Sequence, residues 1–377
     1  MLNSPEEHPV RTAEMRARTA ADAVVSRFGH RLWGVPGTHL GAVSLPRGRG
    51  GSPWHYWWQA HYLDALVDAA MRESAERGAV KRTATARRLL RSIRLRNGLR
   101  WTNSYYDDMA WLALAADRFR RLVRSGGHPG SPLERALRSA HTPELGGGLY
   151  WNTERDFKNT PATGPAALLF ARRGDAVRAQ ELVDWLQGRL RDHRTGLFQD
   201  GIRLAGGRET LIPTVYTYNQ GPVLGALLEL GGPANLSSAA DLIAAIDKHL
   251  ALDGVLRTHG GGDGGLFTGI LVRYLAAAAV SPALPAAARR TAGALVTSTA
   301  ETLWAGRTVP TLPSALAAPD GGGRRRSPAT GVQFPAGTGT DAATGGFELS
   351  TQLQAWMILE AAYRVTAGVD TEAEATG

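Results

Sequence analysis

The chain has 377 residues, longer than most single cores but within reach of a repetitive helical toroid. Its 43% hydrophobic content, with ten Trp and 20% charged residues, excludes a disordered chain, and the absence of cysteine excludes disulfides, thiolate nucleophiles and Cys-ligated zinc. A formal charge of +9 raises nucleic acid or anionic membranes, yet the cations are scattered and almost all Arg, with Lys81, Lys158 and Lys248 the only lysines, so no nucleic-acid partner is expected.

The first thirty residues carry Glu6, Glu7, Arg11, Glu14, Arg16 and Arg18 without a continuous apolar run. No secretory signal is expected in such a stretch, and the location it implies is cytoplasmic. A first amphipathic helix is predicted over 13–28, followed by a Gly/Pro loop through Gly51. Helices are then predicted over 54–76, 81–96 and 104–124, with Asn97-Gly98 as the turn between the latter two. Within 81–96, Arg87, Arg88, Arg91 and Arg94 recur at helical spacing, the pattern of a solvated face. A short helix over 131–139 precedes one over 161–173, with Pro161 in its first turn, and one over 175–190 capped by Asp175. After a Gly-rich loop come helices over 218–230, 237–252, 265–280, 285–304 and 348–367. The most apolar of these is interrupted by Arg273 and too short to cross a bilayer, so no membrane-spanning segment is expected.

Strand signals are scarce, and twelve helices arriving in pairs joined by short turns favour antiparallel hairpins packed side by side. Six such hairpins closing on themselves make an all-α (α/α)6 barrel, one domain spanning 1–377. The Gly/Pro/Ala/Thr-rich segment 305–346, with Arg324-Arg325-Arg326 inside, is read as a long irregular loop, mobile in part.

Aromatic and polar residues cluster at the starts of the even-numbered helices and not of the odd ones. They are Trp54-His55-Tyr56-Trp57-Trp58-Gln59, Tyr105-Tyr106-Asp107-Asp108, Tyr150-Trp151-Asn152 with Lys158-Asn159, Tyr216-Thr217-Tyr218-Asn219-Gln220, Asp263 to Phe267, and Phe347 to Gln352. In an alternating toroid all even helices run the same way, so these clusters gather at one rim as a cleft. Each has a plainer reading: Trp54, Trp57 and Trp58 as core, Asn219 and Gln220 as caps, 260–265 as a loop and not a phosphate cradle. His55 and His61 lack the spacing of a zinc helix, and neither metal nor cofactor is expected.

Asp107 and Asp108 stand out, although Ser104 with Asp107 also reads as a helix start with acids in the first turn. Paired carboxyls among aromatics are the parts of glycoside hydrolysis, one protonating the leaving oxygen and one acting as nucleophile or base. Neighbouring carboxylates oppose each other's second charge, which holds one proton on the pair.

Several segments, in order, resemble glycoside hydrolase family 76, the endo-α-1,6-mannanases. They are Trp54 to His61, Tyr105 to Trp111, Gly147 to Asn152 with Lys158-Asn159, and Tyr218 to Gly221, with Leu112 standing where many relatives carry a second Trp. The resemblance implies an (α/α)6 barrel and a retaining double displacement in which Asp107 is the nucleophile and Asp108 the general acid/base. It also implies an α-mannose-containing oligosaccharide, polysaccharide or glycolipid as substrate. The substrate contacts it brings into consideration are Trp54, His55, Trp57, Trp58, Tyr106, Trp151, Asn152, Lys158, Asn159, Tyr218, Asn219, Gln220, Asp263 and Phe267. Two other classes use similar parts: a non-catalytic sugar-binding toroid, and an epimerase working through His55, His61 and His259. A terpene cyclase is disfavoured, because Trp111 stands where its third magnesium-binding acid belongs.

Overall fold

The computed structural model describes residues 7–45, 54–74, 77–124, 130–309, 331–338 and 347–368. Among these the helices are α1 (Glu7–Phe28), α2 (Tyr56–Arg72), α3 (Arg77–Arg96), α4 (Tyr106–Val123), α5 (Gly130–Ala140), α6 (Thr160–Arg172), α7 (Ala176–Arg189), α8 (Thr217–Leu230), α9 (Gly232–Leu250), α10 (Gly264–Val280), α11 (Ala286–Ala305) and α12 (Leu349–Ala367). The even helices touch in the cyclic order α2, α4, α6, α8, α10, α12 and back to α2, and each odd helix packs outside its even partner, which makes an (α/α)6 barrel.

Sequence decides which ring a helix joins. Helix α7 buries Ala179, Leu182, Val183 and Leu186, an i, i+3, i+4, i+7 stripe that seats one face and leaves the other in water. Helix α10 is apolar except at Thr268 and Arg273 and is buried from Leu266 to Ala276 with the exception of Phe267, as a helix flanked by neighbours on every side must be. Close inner packing needs small residues. A Cβ on Gly225 of α8 would lie 2.7 Å from the Tyr274 ring of α10. Helix α9 starts five residues before its predicted Ser237, because Gly231 and Pro233 form a proline-type start ahead of the serines.

Short strands line the rim: β1 (Gly29–His30) pairs with β2 (Leu40–Gly41), β3 (Ser44–Leu45) with β9 (Phe347–Glu348), and β7 (Ala251–Leu252) with β8 (Val255–Leu256). The stretch read as a Gly-rich loop holds a true hairpin. Strands β5 (Gly201–Ala205) and β6 (Arg208–Ile212) are joined by Gly206-Gly207, both at positive φ, and β4 (Phe157–Asn159) completes the three-stranded sheet. A two-residue turn of this kind needs φ > 0 at both centres, which glycine adopts without strain.

A repeated device fixes the rim to the barrel. The fourth residue of α2, α8 and α12 is Gln59, Gln220 and Gln352, all buried. Each carboxamide accepts from the N–H and donates to the C=O of one rim residue, Gly41, Phe198 and Phe334 respectively, at 2.8–3.0 Å. The amide thus stands in for a neighbouring strand and satisfies buried backbone that no strand covers. Of the long segment 305–346, residues 310–330 and 339–346 lie outside the described residues. Thr308 and Gln333 exchange both backbone hydrogen bonds, and Val332 and Phe334 are buried.

Candidate active site

The cleft opens at the N-terminal end of the inner helices, with a volume of about 660 Å³. Five of the six even-helix clusters contribute to it: His55, Tyr56 and Trp57 from α2; Tyr105, Asp107, Asp108 and Trp111 from α4; Trp151 and Asn159 ahead of α6; Tyr216 and Tyr218 at α8; Asp263 and Phe267 at α10. The α12 cluster is a prop instead. Phe347 stacks on Phe28, and Glu348 accepts from the N–H of Gly262.

One wall is aromatic. Tyr218 and Phe267 stack at 4.0 Å between ring centres, Tyr216 meets Phe267 edge-on, and Trp111 and Trp57 extend the surface. Opposite, Trp151 packs between Tyr105 and Phe157. His55 caps α2 with φ at +35°, a strained backbone for a non-glycine residue, and its ring stacks on Trp58 at 4.3 Å.

Asp107 and Asp108 sit in the first turn of α4 but in unequal surroundings. Asp107 accepts from Trp151 Nε1 and from the Asp108 N–H, both at 2.9 Å. Asp108 accepts from Asn103 Nδ2 at 2.6 Å, and Asn103 in turn holds the Tyr105 N–H through its Oδ1. Burial raises both carboxyls above the ordinary carboxylate value. Asp108 goes further, since the Asp107 charge adds to burial there, whereas hydrogen bonds from Trp151 and backbone N–H groups hold Asp107 back. The two carboxyls titrate as a pair, with the donors to Asp107 favouring the charge on that side.

Two further acids face them. Burial pushes Asp200 up to about 6, opposed by the amide of Asn219, and Asp200 in turn raises Asp107. Asp263 is exposed at the rim and held by Trp58 Nε1 at 2.9 Å. Among the described residues, no Lys or Arg forms an ion pair with any of these four carboxylates. Arg203, the one Lys or Arg among the described residues that line the cleft, pairs with Asp156.

Residues 133–311 match the sequence model of glycosyl hydrolase family 76. The structure of the GH76A α-1,6-mannanase from Salegentibacter sp. HEL1_6 superposes with a TM-score of 0.78 at 28% identity, covering 93% of this chain and 98% of that one. The chain thus matches family 76 in sequence over its middle and shares the fold of a family 76 mannanase over nearly its whole length. An inactive variant of the same Salegentibacter enzyme, with two consecutive aspartates changed to asparagine and α-1,6-mannotriose bound, superposes equally well at 27% identity over 94% and 99% of the two chains. Dfg5 from Chaetomium thermophilum, in complex with glucosamine, shares the fold with a TM-score of 0.66 at 16% identity, over 97% and 92% of the chains. No curated protein matches the sequence.

The geometry of the cleft sorts the residues singled out in the sequence. His55, Trp57, Asp107, Asp108, Trp151, Asn159, Tyr218, Asp263 and Phe267 line the cleft. The others do not. Trp54 packs edge-on to Tyr56 under Arg96, Tyr106 is core, and Asn152 closes a turn by accepting from the Glu154 N–H. Trp58 is buried behind His55 and aims Asp263, while Gln220 is spent on Phe198. Asn219 is buried beside Asp200. Lys158 corrects the reading most sharply. It is 0% exposed, and its ammonium donates to the carbonyls of Thr142, Glu144 and Gly147 and to the Thr142 hydroxyl, pinning the loop before α6.

Histidine chemistry finds no support in this geometry, since only His55 of the three candidates lines the cleft. His61 is buried against Trp57 and Trp111, and burial holds it well below its ordinary pKa. His259 is lowered to about 4 by burial, and its Nε2 accepts from the Thr217 N–H. Sequence reasoning misses Phe157, Asp200, Arg203 and Ile212, all on or beside the three-stranded sheet. The signal that finds them is the alternation of residues on both sides of Gly206-Gly207, the mark of a hairpin.

Proposed function

We propose that the protein hydrolyses α-1,6-linked mannosides with retention of configuration, Asp107 acting as nucleophile and Asp108 as general acid/base. The observation that carries this reading is the unequal hydrogen bonding of the pair. Two aspartates with equal surroundings have no reason to divide the work, whereas Asp107, given donors from Trp151 and the Asp108 N–H, takes the charge first.

In the first step the Asp107 carboxylate attacks the anomeric carbon. The glycosidic C–O bond breaks, and the Asp108 proton passes to the departing oxygen, leaving a glycosyl ester on Asp107. In the second step Asp108, now ionised, takes a proton from water, whose oxygen attacks the same carbon and releases Asp107. The N-terminus of α4 favours the anionic state to which Asp107 returns. Tyr218 stacked on Phe267 offers a flat surface for a sugar face, Asp200 and Asp263 offer acceptors for hydroxyls around it, and the Asn159 amide, its oxygen spent on the Ala162 N–H, offers a donor. The substrate belongs to the α-mannose-containing oligosaccharides, polysaccharides or glycolipids, a reading supported by the mannotriose bound to the Salegentibacter relative.

Initial-rate hydrolysis of α-1,6-, α-1,2- and α-1,3-linked mannobioses and mannotrioses, with α-glucosides as controls, tests the substrate half of the proposal. Turnover of the α-1,6 series above the others is expected. Preference for another linkage or for glucosides contradicts it.

A further inference from the structure

Two stretches of the sequence contain no acidic residue at all, 23–63 and 77–106. They hold thirteen of the 43 Lys and Arg and none of the 34 Asp and Glu, so the rest of the chain carries 30 cations against 34 acids. These two stretches together carry thirteen positive charges against none negative, more than the protein's net charge of +9. The described residues 32–39 lie against α3: the Arg91 guanidinium donates to the Gly37 carbonyl, and the Ser92 hydroxyl accepts from the His39 N–H. The exposed side of α3 presents Arg87, Arg88, Arg91 and Arg94.

Beside this face the turn at 32–38 does something that packing does not explain. Trp33 stands at φ +50°, ψ +25°, a left-handed backbone where glycine is the unstrained choice, and its side chain is 70% exposed. The turn is locked from behind. The Thr38 hydroxyl accepts from the Leu32 N–H and donates to the Val35 carbonyl, and the Val35 N–H donates to the Leu32 carbonyl. Leu32 is buried while Trp33 and Val35 point outward, and a Cβ on Gly34 would meet nothing within 4 Å. A fixed turn therefore holds the largest apolar side chain in water, next to a row of guanidinium groups.

We infer that this face docks on an anionic lipid bilayer, with Trp33 and Val35 entering the headgroup region and Arg87, Arg88, Arg91 and Arg94 meeting the lipid phosphates. Tryptophan at a membrane surface is apolar in body and polar at its N–H, and clustered Arg binds acidic leaflets. A nucleic-acid track also pairs cations with an exposed aromatic ring, but it has no use for the outward Val35 beside Trp33, which a headgroup region takes in. The face also has a defined place relative to the cleft. Arg94 lies over the Trp101 ring at 5.5 Å, and the Trp101 carbonyl accepts from the hydroxyl of Tyr56, a cleft residue. A bilayer held there lies at the cleft end of the barrel. The inference rests on this surface and not on the sugar the cleft accepts.

The test is co-sedimentation of the full chain with vesicles of phosphatidylcholine alone or mixed with phosphatidylglycerol, at low and high salt. Wild type is expected to bind only the mixed vesicles, and less at high salt. Each arginine removed is expected to weaken partitioning about fivefold, so Arg87→Ser with Arg88→Ser should lose roughly 25-fold. Trp33→Ser is expected to lose binding and Trp33→Phe to keep most of it. All these positions are exposed, and unchanged thermal melts establish that the variants fold. No binding to the mixed vesicles at low salt overturns the inference. So does binding indifferent to Trp33→Ser, which marks mere adsorption, and so does duplex DNA binding tighter than vesicle binding, which marks a nucleic-acid face.

Discussion

The barrel holds carboxylate clusters at both ends of its inner ring, and the two are treated in opposite ways. At the C-terminal end of the inner helices, Asp64 and Asp68 of α2 are forked between Arg118 of α4 and Arg273 of α10, each guanidinium reaching both carboxylates. Arg72 bridges Glu360 and Glu73, and Arg82 joins Glu73. At the cleft end, Asp107, Asp108, Asp200 and Asp263 receive hydrogen bonds or face one another, and among the described residues no cation pairs with them. Paired charges across α2, α4, α10 and α12 tie the ring together. Of the unpaired ones, Asp107, Asp108 and Asp200 have their proton affinities raised by burial, and a raised affinity is what a group needs to carry a proton near neutral pH.

Breaking each cluster should therefore fail differently. The largest effect belongs to Asp107→Asn, expected to lower kcat by about 10³-fold or more on every glycoside while leaving the melting temperature unimpaired, since attack at the anomeric carbon has no substitute. Steady-state kinetics with a thermal melt check both halves. At the other end, Arg273→Ala leaves Asp64 and Asp68 buried with one partner fewer. A loss of about 3–5 kcal/mol in denaturant unfolding is expected, with kcat per folded molecule preserved.

A smaller effect of opposite sign is expected for Asp108→Asn. A carboxyl whose folded-state pKa is raised favours the fold when neutral, and that contribution is lost as pH rises through the folded value. Asn stays neutral. The variant should match wild type near pH 3 and exceed its melting temperature increasingly toward neutral and alkaline pH, as calorimetry across pH will read. The smallest effect is that of Asp200→Asn. Its charge raises Asp107, so removing it should move the acid limb of the kcat/KM profile to lower pH.

The cleft end is far more legible in the amino-acid sequence than the Arg-paired end. The twelve helices follow from period and caps, and the gathering of Asp107, Trp151, Tyr218 and Phe267 at one rim follows from helix parity alone. Three things stay hidden for physical reasons. Lys158 at a helix start gives no sign of whether it points to solvent or inward, because the carbonyls it holds, on Thr142, Glu144 and Gly147, come near only when the loop folds. Asp200 precedes a short hairpin whose alternation is diluted by polar exposed residues such as Arg203 and Glu209, so it reads as part of a loop. The Arg-paired end is silent as well. Asp64, Asp68 and Arg273 sit on apolar helices far apart in sequence, and only ring closure brings them together.

The division of labour between Asp107 and Asp108 is tested most directly with an activated aryl α-mannoside, turned over by wild type, Asp107→Asn and Asp108→Asn, with and without azide, product anomers being read by NMR. An activated leaving group needs little protonation. Asp108→Asn should therefore keep the first step, accumulate a glycosyl-enzyme and be rescued by azide, while Asp107→Asn stays inactive throughout and wild type releases the α anomer first. Azide rescue of Asp107→Asn instead would reverse the two roles, and a β anomer from wild type would contradict retention itself.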